Sequence, residues 1–191
     1  ASAGDISSGV ITGTAGSVAV TASTGNVTVG TITAGSTVTI QTPVGSIQDE
    51  ADDALVDITA GGLITLTSGK TISGVGTDGR LELAAGSSVT ASADTEAIAL
   101  RGLGALTLTS VEAKAGSVDV VAAGQLTATS VQASGAVSDA TLTTSSGGIV
   151  ATSVLAGRNV SLSASAGDIS SGVITGTAGS VAVTASTGNV T

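Results

Sequence analysis

Five carboxylates crowd one short segment, QDEADDALVD: Asp49, Glu50, Asp52, Asp53 and Asp57. They form the only charge cluster of the chain. Carboxylate oxygens are hard donors, and Ca2+ takes six to eight of them. The spacing lacks the D-x-D-x-D-G frame of a helix-loop-helix calcium site. The segment reads either as a loop that holds Ca2+ through these five side chains or as a solvated acidic loop that favours solubility. Gly74-Val75-Gly76-Thr77-Asp78 matches half of a glycine-rich calcium repeat. It occurs once and is followed by Arg80 where an apolar residue belongs, so it predicts a turn. Asn26-Val27-Thr28, Asn159-Val160-Ser161 and Asn189-Val190-Thr191 match the N-x-S/T acceptor for glycans. The same asparagines suit corners, where the side-chain amide bonds local backbone. Ile64-Thr65-Leu66-Thr67 and Leu106-Thr107-Leu108-Thr109 put threonine at every second position. Such an array could order ice, or it could simply suit an exposed strand face.

Enzymatic chemistry finds no partners. The chain has no His and no Cys, so imidazole bases, thiol nucleophiles, thiolate metal sites and disulfides are excluded. It has 27 Ser, but none stands in a recognisable triad or next to a base that would activate it. No phosphate-binding G-x-x-x-x-G-K-[ST] is present. The absence of Phe, Trp and Tyr removes stacking platforms for sugars and bases. A formal charge of -9 at pH 7 disfavours nucleic acid and anionic lipid. No apolar run reaches the roughly 18 residues of a membrane helix, so membrane insertion of this segment is not expected. These observations predict a protein that is not an enzyme and needs no cofactor beyond Ca2+ at the acidic loop.

Whatever these residues do, a repeat must position them. Residues 1–28 and 164–191 are identical, letter for letter. The chain therefore reads as one long repeat, 1–163, followed without a linker by the start of the next, 164–191. It opens and closes in mid-pattern, which predicts a slice of a longer array. A shorter period runs inside it. Glycines open similar segments at Gly16, Gly35, Gly61, Gly79, Gly116, Gly135, Gly157 and Gly179, and the wide interval before Gly116 divides near Asp94–Thr95. This gives about eight coils of about 20 residues per long repeat, within the range of solenoid periods. The interval from Gly35 to Gly61 is longer than the rest by about a quarter, which places the acidic cluster on a protruding loop.

Within each coil apolar and small polar residues alternate with period two, the mark of a strand with one buried face. Val18, Val20, Val27, Val29 and Ile32 share an inward face. Leu106, Leu108, Val111, Val118, Val120, Leu126, Val131, Val160 and Leu162 repeat it further on. Gly recurs too often for helices, and β-branched residues favour strands. An antiparallel sandwich would not hold a fixed coil length. The fold class expected is therefore all-β, a right-handed parallel β-helix or β-solenoid. Its narrow core needs small aliphatic side chains, which accounts for the missing aromatics. Both ends would expose unpaired strand edges and stack end to end on further copies.

The rhythm AGSVAVTA…GNVTVGTITA, with its variants AGSVDVVAAGQLTATSVQA and GALTLTSVEA, resembles the repeats of filamentous haemagglutinin-like bacterial exoproteins. That resemblance implies an extracellular, cell-surface location. It also implies a role as adhesin shaft, cell-cell aggregation fibre or biofilm-matrix filament. A carbohydrate- or cell-surface-binding module, with Ca2+ at the acidic loop, is the alternative, and an ice-binding array is a third. Expected partners are further copies of the repeat and polysaccharide or other cell surfaces.

Overall fold

The computed structural model describes residues 4–51 and 53–191. Among the described residues there is no helix, and every strand pairs in parallel with a strand of an adjacent coil. One inward column runs Ile6, Val27, Ile47, Ile72, Ile98, Val118, Ala140, Val160, Val181, each residue paired to the next across adjacent coils. These nine stacked positions define a β-solenoid of about nine coils. A second column, Val18, Val38, Ile64, Val89, Leu108, Ala128, Ala151, runs up the facing sheet. Parallel strands this short cannot close by hairpins; the chain must travel round the coil to reach its neighbour.

The core lies between the two sheets along the axis. All fourteen inward positions expected from the alternation are buried, from Val18 at 8% exposed down to Val27 at zero. The largest fully buried side chains are Ile and Leu. A few inward slots at corners hold hydroxyls that bond backbone. Thr42 donates to the Gly25 carbonyl at 2.6 Å and accepts from the Gly45 amide at 3.1 Å. Ser68, its partner one coil on, donates to the Gly45 carbonyl at 2.8 Å.

The cross-section changes partway along. In the first four coils the first sheet is broken into two short strands per coil, as in Val27–Val29 and Thr31–Ala34. From Ile98–Gly102 onward it is a single strand. The facing strand then lengthens to eight residues, as in Leu106–Ala113, and its alternation slips at the exposed pair Thr109–Ser110. The bend has moved from one sheet to the other, through an irregularity in register after Val89.

This switch bears on the long repeat. Ile6 belongs to the first sheet, but its copy Ile169 pairs with Ile149 in the second. Val18 belongs to the second sheet, and its copy Val181 to the first. Val160 stands in the Ile6 column, and Ile169 lies in the next strand along the chain. The long repeat thus spans seven coils and part of an eighth, not a whole number. The glycine series hid this: Gly16, Gly35 and Gly61 turn the chain into the second sheet, whereas Gly116, Gly157 and Gly179 turn it into the first.

Candidate functional site

Two consecutive coils carry extra chain. The first-sheet edge that runs directly from Val27 to Ile32 in one coil makes a longer excursion from Ile47 to the equivalent Ile58 in the next. The insertion expected between Gly35 and Gly61 is therefore present. A second excursion of the same length follows in the next coil, from Ile72 to Leu83. The glycine spacing conceals it, because Gly79, at φ 64°, lies inside the excursion's turn rather than at a corner. Gly74 to Asp78 lead into that turn, as the sequence predicts.

The excursions bring three carboxylates together. Asp49 closes the strand Ile47–Asp49 and holds the register position of Val29, so the backbone aims an acid where an apolar residue stood one coil earlier. Asp57 precedes Ile58, and Glu82 lies directly over it in Leu81–Leu83, whose three residues are all buried. One oxygen from each of Asp49, Asp57 and Glu82 lies within 4.8 Å of the others. Asp49 is 3% exposed, Asp57 5% and Glu82 fully buried.

The backbone supports this cluster only in part. Asp57 Oδ2 accepts from the Glu82 amide at 2.7 Å, and Asp49 Oδ1 from the Ala51 amide at 3.1 Å. Neither carboxylate oxygen of Glu82 meets a hydrogen-bond donor among the described residues. The Arg101 guanidinium stands 3.9 Å from Glu82 Oε1, beyond hydrogen-bond reach, and is paired with Asp78. Asp78 also faces Arg80 at 3.4 Å, and Arg80 reaches Asp119 at 2.5 Å. Burial pushes the Asp57 carboxyl well above the usual carboxylate range; the hydrogen bond from the Glu82 amide opposes this, and the Asp49 charge and the Glu82 side chain add to it. Burial does the same to Glu82, helped by the Asp78 and Asp49 charges and opposed by the Asp57 side chain and Arg101. Taking such groups out of water costs several kcal/mol per ion unless a proton or a counter-ion compensates.

The five acids expected to act together thus divide. Asp49 and Asp57 are in the cluster. Glu50 is exposed and accepts from the Ser7 hydroxyl at 3.2 Å. Asp53 is exposed and accepts from the Leu55 amide at 2.8 Å, a local turn. Asp52 lies outside the described residues. Sequence reasoning does not find Glu82; its only signal is a charge between Leu81 and Leu83 in an otherwise inward-packed strand. Arg80, which breaks the calcium-repeat pattern, serves the ion-pair chain to Asp119.

The asparagines join coils at corners. Asn26 Oδ1 accepts from the Ser46 amide at 2.9 Å, and Asn159 Oδ1 from the Ser180 amide at 2.9 Å, each one coil on. Asn159 also donates to Asp139, which accepts from Arg158 at 2.9 Å. The outward threonines do not form an unbroken plane: the rung of Thr67 continues to Gln41 on one side and Ser92 on the other. No protein-family model, curated protein or solved structure matches the chain.

Proposed function

We propose that this chain is a shaft segment of an extracellular β-solenoid filament that acts at the cell surface, in adhesion, cell-cell aggregation or a biofilm matrix. The observation that carries the reading is the state of the two identical segments. Ile169 bridges Val190 in parallel as Ile6 pairs with Val27, so the second copy continues the stack in the same local register and without a linker. Val181 and Val190 are 46% and 52% exposed, whereas their copies Val18 and Val27 are 8% and 0%. Val18 and Val181 each pair with a single neighbouring coil, through Val38 and Val160, whereas Val27 pairs with two. Because both copies of the segment stack on one solenoid, a ladder of this kind can be extended by further copies of the repeat.

The mechanism is mechanical. Hydrogen bonds between coils run along the axis and share the load in parallel at each interface, so the rod resists extension and holds whatever it carries at a distance. Its partners are further copies of the repeat and polysaccharide or other cell surfaces; the acidic surface argues against nucleic acid. Two measurements test this. Chains with one, two and four long repeats should appear in cryo-electron micrographs as rods that lengthen by about 36 Å per repeat, at roughly 4.8 Å per coil. Compact particles of constant length would refute the shaft. Protease treatment of intact source cells should remove the protein; full protection would refute the surface location.

A further inference from the structure

We propose that Asp49, Asp57 and Glu82 form a divalent-cation site suited to Ca2+, which clamps the excursion of the third coil to the strand above it. This goes beyond the shaft reading and does not depend on it. Two oxygens on one Ca2+, each about 2.4 Å from the ion, can lie at most about 4.8 Å apart, and the three carboxylates meet that limit. The ligand set is all oxygen, with no nitrogen or sulfur donor, which selects a hard cation.

Acidic clusters are common on protein surfaces, but this one is not on the surface. The second observation is Glu82 itself. Its side chain is fully buried and faces Asp49 and Asp57, and while Asp57 is ionised neither of its oxygens meets a donor among the described residues. A buried carboxylate in that state is destabilising unless something positive sits against it. Arg101, at 3.9 Å and committed to Asp78, offsets part of one charge. When all three carboxylates are ionised, they leave an excess of between two and three negative charges over the shared guanidinium, most of which a divalent cation balances. A recess of about 130 Å³ lined by Asp49, Asp57, Glu50 and Asp53 opens two of the three carboxylates, though not Glu82, to solvent. Water entering the recess would supply the further oxygens of a shell of six to eight.

The rival arrangement is a proton shared between Asp57 and Glu82, with no ion. The same chain, stripped with EDTA and exchanged into buffer at pH 7.5, separates the two. Calorimetric titration with CaCl2 should show one site per chain with a Kd on the order of 10⁻⁴ M. At 100 times that Kd the folded-to-unfolded ratio should rise about 100-fold, read as a higher melting temperature by circular dichroism. MgCl2 should bind more weakly. Glu82→Gln should fold at least as stably in EDTA, because it removes a buried charge, and should lose the Ca2+ response. Glu96→Gln, remote from the site, should keep it. No heat and no melting shift with Ca2+ in the wild-type chain would overturn the proposal. So would a full Ca2+ response in Glu82→Gln, or equal stabilisation by Mg2+.

Discussion

Gly157→Ala tests whether close stacking of coils, rather than the apolar core alone, holds the solenoid together. Gly157 is a corner residue outside the left-handed region of φ, so alanine meets no local backbone objection. Its Cβ would lie 1.9 Å from the Gly135 carbonyl oxygen of the coil below. Ordinary contact begins near 3.4 Å and contacts under 3.0 Å are essentially never seen, so the two corners must part by more than an ångström. The bonds from the Gly157 amide to Ala133 and from the Arg158 amide to Ser138 are both 2.9 Å, and that displacement breaks them. At about 1 kcal/mol each, with about 1–3 kcal/mol for the residual overpacking, the cost is about 3–5 kcal/mol. For a chain of this size that lowers the melting temperature by roughly 6–20 °C. With no aromatic residues the transition is followed by far-ultraviolet circular dichroism. Hydrogen exchange at the 133–138 and 157–158 amides reports the local opening. Gly16→Ala is the control, since its Cβ meets nothing within 4 Å. The matching residue of the second copy, Gly179, would put its Cβ 2.3 Å from Asn159 Oδ1 and 2.8 Å from the Arg158 carbonyl, because a coil lies beneath it. If Gly157→Ala melts with the wild type and the Gly16→Ala control, the argument from coil spacing is wrong.

Leu66 is fully buried between Ile40 and Ala91 of adjacent coils, which are bonded on both sides and cannot collapse inward. Leu66→Ala should therefore cost about 2–5 kcal/mol, read as a lower urea midpoint; an unchanged midpoint would show that the coil closes over the cavity. In EDTA, Asp57 and Glu82 bind protons more tightly folded than unfolded, so above the ordinary values of 3.8 and 4.5 the folded chain holds the extra protons. Stability contributed by these groups is then full at low pH and falls as pH rises toward their folded values. Melting temperatures should decline from pH 5 to 8 in EDTA, and Asp57→Asn should flatten the decline; a rise in the wild type over that range would contradict the sign. Asp139 behaves oppositely. Arg158, then the Asn159 amide, hold its carboxyl below the ordinary 3.8, so its contribution is present above that value and lost as pH falls through the lower folded value. A carboxyl-carbon titration by NMR should place its midpoint below 3.8, and Arg158→Gln should return it upward.

Much of the solenoid was legible because period-two alternation is a strong signal where one face is buried. Val118 and Val120 had to share one buried face and Leu126 to turn inward as well, and the structure sets them in facing sheets with all three buried. The position of a coil around the axis was not legible. Gly35 and Gly157 look alike in sequence, and only strand pairing shows that they open different sheets. The site was half legible for a related reason. Asp49 and Asp57 are near in sequence, so their charge stood out. Glu82 lies a full coil beyond Asp57 and reaches it only because two excursions of equal length keep the coils in register. Local composition carries no trace of that coincidence.

The mismatch between the long repeat and the coil has a consequence for any array of such copies. Seven coils and a fraction turn each copy close to half a revolution from the last, so the array follows an approximate two-fold screw. Chemically identical surfaces would then face opposite flanks in alternation, and the true axial period would be two copies, about 72 Å at roughly 4.8 Å per coil. The acidic excursions would project left and right in turn. An array of this kind would carry the excursions on both flanks in alternation, whereas an integral repeat would align them all along one flank.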